Sequence, residues 1–176
     1  MTRAAGAGLA LLALAGCRLD DGDWAPVKTT IRLRYPQVDI LTTQDLSAWQ
    51  ARTDEVQPVL LDARAVSEFA VSHLAGARHA PHVDDAIVAL ASAALDTPIV
   101  TYCSVGYRSA GLADQLLQRG YTRVRNLEGS LFQWANEGRP LVDVEGPVDV
   151  VHPYGEPWSD LLDEARRWRD PAASSE

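Results

Sequence analysis

The chain has 176 residues, and its 24 acidic and 16 basic side chains give a formal net charge of −8. This acidic balance argues against nucleic-acid binding, because phosphate contacts require basic patches. Hydrophobic residues make up 47% of the chain, which is enough for one domain with a substantial core. The two cysteines, Cys17 and Cys103, are too far apart in sequence for a C-x-x-C dithiol site.

The first 16 residues have the pattern of a secretory signal. Arg3 precedes an uncharged run of alanine, glycine and leucine that is too short to cross a bilayer. Residues 14–17, Leu-Ala-Gly-Cys, resemble the lipobox of bacterial lipoproteins, which implies cleavage before Cys17 and lipidation of its thiol. We therefore predict a signal over residues 1–16 and a lipid-anchored, periplasm-facing protein of the bacterial cell envelope. Arg18 stands where an inner-membrane retention aspartate would be, which favours the outer membrane. An ordinary cleaved signal or an unprocessed start is the alternative.

The next segment, residues 17–37, is polar and begins with several acidic residues and a glycine. This composition predicts a tether between the membrane and the domain. An alternating stretch at 31–35 is a candidate edge strand.

Residues 38–141 alternate between short apolar runs and amphipathic stretches. Strands are predicted at 38–41, 58–62, 78–79, 99–102 and 122–127. Helices are predicted after Thr42, over 66–71, over 84–94, from the cysteine loop to Arg119, and over 130–137. Alternation of this kind predicts a single α/β domain with a mostly parallel, twisted sheet of about five strands and helices on both faces.

Residues 142–176 form a C-terminal extension. At 157–168 the spacing of Trp158, Leu161, Leu162, Ala165 and Trp168 predicts an amphipathic helix. We expect its apolar face to pack on the domain, and docking of a protein partner is the alternative.

Cys103 stands where a strand ends and a helix begins. The run at 99–102 is uncharged and rich in β-branched and aromatic residues, as is typical of a strand covered on both faces. Open α/β sheets hold reactive groups at such junctions. Unpaired helix amides, a glycine loop and Arg108 all favour the thiolate over the thiol. We therefore predict that Cys103 is a nucleophile, and a buried structural cysteine is the alternative.

Four segments, in this order along the chain, resemble the rhodanese, or sulfurtransferase, family. The first is Asp62-Ala63-Arg64, which matches its D-x-R segment, and the second is Glu68-Phe69 with His73, Leu74, Gly76 and Ala77. The third is the loop Cys103-Ser104-Val105-Gly106-Tyr107-Arg108-Ser109, which matches its C-x-x-G-x-R-S loop. The fourth is Asn126-Leu127-Glu128-Gly129-Ser130 with Trp134. The resemblance spans about residues 38–141 and implies the rhodanese fold.

The resemblance implies transfer of a sulfane sulfur through a persulfide on Cys103. It assigns Cys103 as the catalytic nucleophile, Ser104, Val105, Gly106, Tyr107, Arg108, Ser109 and Arg64 as substrate-binding residues, and Asp62 as a supporting residue. The expected partners are a small sulfur donor and a thiol or cyanide-like acceptor. No cofactor is implied, and His79 and His82 lack a clustered third ligand for a metal.

The length of the loop separates this chemistry from that of phosphatases. From Cys103 to Arg108 the spacing is C-x4-R, whereas tyrosine phosphatases use C-x5-R, whose larger ring can surround a tetrahedral oxyanion. Ser104 stands where many thiosulfate-using members have a basic residue, so the donor stays open. A persulfide carrier without turnover, phosphate or arsenate chemistry, and redox sensing by the single thiol are the competing functions.

Overall fold

The computed structural model describes residues 21–91 and 93–170. The predicted signal at 1–16 and the predicted lipidation site Cys17 lie outside these residues, as does the end of the C-terminal extension. The main elements are α1 (Asp21–Arg34), β1 (Asp39–Leu41), α2 (Thr43–Gln50), β2 (Val59–Asp62), α3 (Val66–Val71), β3 (Arg78–His79), α4 (Val83–Leu90), β4 (Ile99–Tyr102), α5 (Tyr107–Gln118), β5 (Val124–Leu127) and α6 (Ser130–Asn136).

The five strands form one parallel sheet in the order β1-β5-β4-β2-β3. The central strand is β4, whose four residues are all buried, which explains its uninterrupted apolar and β-branched sequence. The predicted α/β class and the parallel sheet of five strands are confirmed. The cysteine loop leaves the sheet at the carboxyl end of this central strand.

Two apolar clusters cover the two faces of the sheet. On one face, α4 and α5 pack with residues such as Leu90, Leu112 and Leu116. On the other face, α2 and α6 pack with residues such as Leu46 and Phe132. Helix α4 ends sooner than predicted, because Ala91 has a positive φ of 50° that an α-helix cannot continue through.

The predicted tether is wrong over most of its length, because residues 21–34 form helix α1. Trp24 and Ile31 are buried, and Val27 is partly buried between them, so these residues mark one apolar helix face. Glu128 of the domain also contacts this helix, accepting from Arg32 at 2.6 Å. The candidate strand at 31–35 is therefore also wrong.

The predicted amphipathic helix at 157–168 is replaced by two 3₁₀ turns, Trp158–Leu161 and Glu164–Arg166. The segment packs on the domain, because Asn136 of α6 accepts from the amide of Asp163 and donates to the carbonyl of Leu161, both at 2.9 Å. Leu161 and Leu162 are buried against the α6 face of the sheet. A short antiparallel pair, β6 (Leu141–Val142) with β7 (Pro147–Val148), leads into this segment.

Within residues 21–91 and 93–170, no helix is long and apolar enough to cross a membrane.

Candidate active site

Cys103 lies in the loop that joins β4 to α5. Gly106, at the N-cap of α5, has a φ of 105°, and its amide donates to Cys103 Sγ across 3.1 Å. A side chain at this position would be strained, and its Cβ would lie 3.3 Å from Ile31 Cδ1 and 3.4 Å from the carbonyl oxygen of Leu127. The glycine therefore permits the turn that directs an amide at the sulfur, where the amino end of α5 also favours negative charge.

The loop backbone is fixed by its neighbours in β5 and α6. Asn126 donates to the carbonyl of Gly106 at 3.0 Å and accepts from the hydroxyl of Ser109 at 2.6 Å, so one amide side chain joins both ends of the turn. Ser130 accepts from the amide of Cys103 at 3.1 Å. All of these groups are buried, which makes their hydrogen bonds important for holding one loop conformation.

A buried acid orients the arginine of the loop. Glu68 of α3 receives two hydrogen bonds from the guanidinium of Arg108, at 2.7 and 2.8 Å, and a third from the hydroxyl of Ser104 at 2.9 Å. Arg108 also donates to Ser104 Oγ at 2.9 Å. The three side chains form a closed network beside Cys103, and the bidentate geometry is that of a strong ion pair.

The charges in this network are stabilised by their contacts. Burial alone would raise the pKa of Glu68, but hydrogen bonds from Arg108 and the amide of Ala65, together with the positive charge and the hydroxyl of Ser104, lower it to about 2. Burial alone would lower the pKa of Arg108, whereas its bonds to Glu68 and the nearby Cys103 sulfur raise it. The pair is therefore fully ionised at neutral pH.

A small chamber of about 80 Å³ lies over the cysteine. Cys103 as a whole is only 1% exposed. The chamber is lined by Cys103, Ser104, Val105, Tyr107, Arg108, Tyr154 and Trp158. Tyr154 lies against Arg108, with the guanidinium carbon 4.6 Å from its ring centroid. The C-terminal segment thus supplies two aromatic side chains to the walls around the cysteine.

The structure brings together most of the predicted site residues. Ser104, Val105, Tyr107 and Arg108 line the chamber with Cys103, and Gly106 contributes its amide to the sulfur. Ser109 instead lies buried beneath the loop, bonded to Asn126.

Arg64 differs from its predicted place among the substrate-binding residues. Its side chain is 0% exposed, donates to Asp62 at 2.6 Å and to the carbonyl of Ser72 at 2.5 Å, and does not line the chamber. Asp62 is likewise buried and accepts from the amide of Arg64 at 3.0 Å. The two residues form an internal ion pair that shapes the segment after β2.

Sequence reasoning missed four residues of the site. Glu68 and Asn126 belong to the motifs that resemble the family, but the sequence assigned neither of them a role in the site. Tyr154 and Trp158 lie beyond those motifs, and the helical spacing assigned to Trp158 concealed its place beside the chamber. A signal for Glu68 exists in retrospect, because an acid in a short apolar helix must find a cation when it is buried.

Comparison with known proteins identifies the family. The family model of the rhodanese-like domain matches residues 42–137, which is more than half of the chain. The chain belongs to the rhodanese-like family. The matched range includes the Cys103 loop, Glu68 and Asn126, but leaves out helix α1 and the C-terminal segment with Tyr154 and Trp158.

Two curated relatives are sulfurtransferases by name. A protein of Allochromatium vinosum named "Sulfurtransferase" is 34% identical over 110 residues, which cover 62% of this chain and 99% of the relative. The thiosulfate sulfurtransferase GlpE of Pseudomonas aeruginosa is 35% identical over 96 residues, covering 53% of this chain and 84% of the relative. These names indicate sulfur transfer in general as the chemistry of the matched domain.

Solved structures share the rhodanese-like fold. A crystal structure of a thiosulfate sulfurtransferase from Pseudomonas aeruginosa has a TM-score of 0.55 and 24% sequence identity, covering 67% of this chain and 23% of that one. At this level of identity the similarity shows the fold alone.

Proposed function

We propose that this rhodanese-like protein is a sulfurtransferase that works through a persulfide on Cys103. The Cys103 thiolate attacks the sulfane sulfur of a donor, so that a new S–S bond forms and the donor's bond to that sulfur breaks, with the electron pair leaving on the donor. A thiophilic acceptor then attacks the outer sulfur and regenerates the thiolate. The sulfur moves without an external oxidant or reductant.

One contact carries this proposal. The amide of Gly106 donates to Cys103 Sγ at 3.1 Å, at the amino end of α5 and next to the chamber. An oriented amide stabilises negative charge on sulfur at no cost in reorganisation during the reaction, as in an oxyanion hole. The same environment suits the thiolate that attacks and the persulfide anion that follows.

Two other functions for Cys103 make different use of the site. A phosphatase of this fold would need its loop arginine for the phosphate, whereas Arg108 here is held by Glu68 through two short hydrogen bonds. A persulfide carrier without turnover is favoured by the near-complete burial of Cys103 and by the aromatic side chains beside it. Rapid turnover with a small donor and acceptor would exclude the carrier.

The experiment is cyanide-dependent release of thiocyanate by the purified protein from a panel of sulfur donors, including thiosulfate. We expect turnover with at least one donor and none with Cys103→Ser. Absence of turnover with every donor, from protein whose Cys103 is shown by thiol titration to be free, overturns the proposal. Hydrolysis of an aryl phosphate that depends on Cys103 would favour the phosphatase instead.

We also propose that the protein is anchored in the bacterial cell envelope by lipid on Cys17, with the outer membrane favoured. The support is the apolar run and the lipobox-like tetrapeptide at 14–17. Helix α1 begins at Asp21, so a lipid on Cys17 would hold the domain within about 15 Å of the membrane surface, at the reach of four extended residues. Mass spectrometry of the N-terminal peptide from membrane-purified protein tests for the lipid.

A further inference from the structure

A second cavity lies next to the chamber over Cys103. It is a groove of about 350 Å³ lined by Pro26, Val27 and Thr30 of α1, by Tyr107 of the cysteine loop and by Trp158 of the C-terminal segment. Tyr107 and Trp158 line both cavities, so the groove adjoins the chamber along these two side chains. The lining is almost entirely apolar, and the hydroxyl of Thr30 is already bonded to the carbonyl of Pro26 at 2.8 Å.

The sizes of the two cavities divide a substrate into two parts. A chamber of about 80 Å³ has room for the transferred sulfur and the few atoms bonded to it, and is well below the roughly 300 Å³ of small ligand pockets. The groove falls within that range. A larger group attached to the reacting sulfur can extend past Tyr107 and Trp158, which line both cavities, into the apolar groove.

The charges of the site point to the same kind of substrate. Arg108 is the single cation among the residues that line the chamber, and its guanidinium is paired with Glu68 and faces the ring of Tyr154. Position 104, next to the nucleophile, is a serine, and the whole chain carries a formal charge of −8. An inorganic dianion gains little attraction here, whereas an organic donor with one negative charge gains burial of its carbon group.

We infer that the groove binds the apolar carbon group of an organic sulfane-sulfur donor and selects such donors over inorganic thiosulfate. This inference rests on the proposed sulfurtransferase function. With an aryl thiosulfonate, the Cys103 thiolate attacks the terminal sulfur, the S–S bond to cysteine forms, and the bond between the terminal sulfur and the sulfonyl sulfur breaks. An aryl sulfinate leaves with the electron pair, and the negative charge on the reactants equals that on the products.

Four of the five residues that line the groove lie outside the family's common domain, and the fifth is Tyr107. Helix α1 and Trp158 lie beyond residues 42–137, and the match to the Allochromatium relative uses 99% of that protein but only 62% of this chain. The selectivity is therefore a property that this chain adds to the common catalytic loop.

The test compares benzenethiosulfonate with thiosulfate as donors, with cyanide as acceptor and thiocyanate as the product measured. Partial burial of a phenyl group predicts a kcat/KM about tenfold higher for benzenethiosulfonate. Thr30→Trp fills the groove and is expected to abolish this preference, while kcat/KM for thiosulfate changes less than about twofold, within the usual effect of a surface substitution. Thr29→Trp, at an exposed neighbour on α1 that does not line the groove, is the matched control and should leave the preference intact.

Val27→Asn is a second variant, which makes the groove polar without filling it. Because Val27 also packs α1 on the domain, the expected result is a fall in kcat/KM for benzenethiosulfonate relative to that for thiosulfate, measured per folded molecule. Equal kcat/KM for the two donors in the wild type, or an equal loss for both donors in Thr30→Trp, overturns the inference and leaves the sulfurtransferase proposal standing. Absence of turnover with either donor removes the proposed function itself. A groove that serves a protein partner would leave both donors unaffected by Thr30→Trp, which also overturns the inference.

Discussion

Glu68 Oε2 and Arg108 Nη1 lie 2.7 Å apart, and this contact joins the helix after β2 to the loop that carries the nucleophile. The Glu68 side chain is 3% exposed, so the pair is shielded on the acid's side from the solvent that weakens most ion pairs. Arg108 therefore belongs to the framework of the loop as well as to its surface. Its role is to hold the turn around Cys103 while contributing a positive charge nearby.

Glu68→Gln is expected to destabilise the protein by about 2 kcal/mol, because the partly buried guanidinium of Arg108 loses its counter-charge and its charge-assisted hydrogen bonds. The measurement is the free energy of unfolding from urea denaturation at pH 7. Glu145→Gln, at an exposed position, is the control and should change it by less than about 0.5 kcal/mol. Equal changes in the free energy of unfolding for the two substitutions would show that the ion pair does not stabilise the fold.

The same acid predicts a pH dependence of stability. The pKa of Glu68 falls from 4.5 to about 2 on folding, so the folded state prefers the ionised carboxylate. Its contribution is fully present above pH 4.5 and is lost as the pH falls toward 2, by at most about 3 kcal/mol. Unfolding free energies measured from pH 6 down to 2 should fall less steeply in Glu68→Gln than in the wild type. Parallel curves would contradict the assignment.

Gly106→Ala is expected to reduce thiocyanate production by at least about tenfold, the equivalent of one lost hydrogen bond to a charged group. The new Cβ would crowd Ile31 and the Leu127 carbonyl and turn the amide from Cys103. Gly76→Ala is a matched control, because Gly76 also has a positive φ, of 74°, but nothing lies within 4 Å of its added Cβ. Both variants bear the backbone strain, and only Gly106→Ala should lose activity per folded molecule.

Trp24→Ala tests whether α1 is part of the folded domain. Trp24 is 4% exposed and packs in the same cluster as Val105 of the cysteine loop, so its truncation should cost about 3 to 5 kcal/mol. Leu33→Ala on the same helix, at a side chain 78% exposed, should change the free energy of unfolding by less than about 0.5 kcal/mol. A neutral Trp24→Ala would restore the idea of a loose tether.

The sheet was predictable because its signals are local. Runs such as 99–102 are short, apolar and followed by helical periodicity, and the strands they predict are those observed. Helix α1 could not be predicted from the sequence. Its apolar face consists of Trp24, Val27 and Ile31 alone, in a segment that begins with acidic residues and contains Pro26. Only packing against the domain stabilises such a helix, and packing is not visible in local composition.

The candidate site divides in the same way. The position of Cys103 follows from the strand, the glycine and the helix that surround it in sequence. The residues that contact its loop could not be predicted in this way. Glu68 and Asn126 come from distant segments of the chain, and Trp158 comes from the C-terminal segment. Arg64 was predicted to bind substrate because it belongs to a family motif. Its guanidinium instead points into the protein and pairs with Asp62, two residues earlier in the chain.

The most direct test of the persulfide is the intact mass of the protein after incubation with a sulfur donor and removal of the excess. We predict a gain of one sulfur atom in the wild type, located by peptide mapping to the peptide that contains Cys103. Cyanide should remove it, and Cys103→Ser, which retains Cys17, should show no gain. An unchanged mass with every donor, or a sulfur atom located at Cys17 instead, would contradict the account.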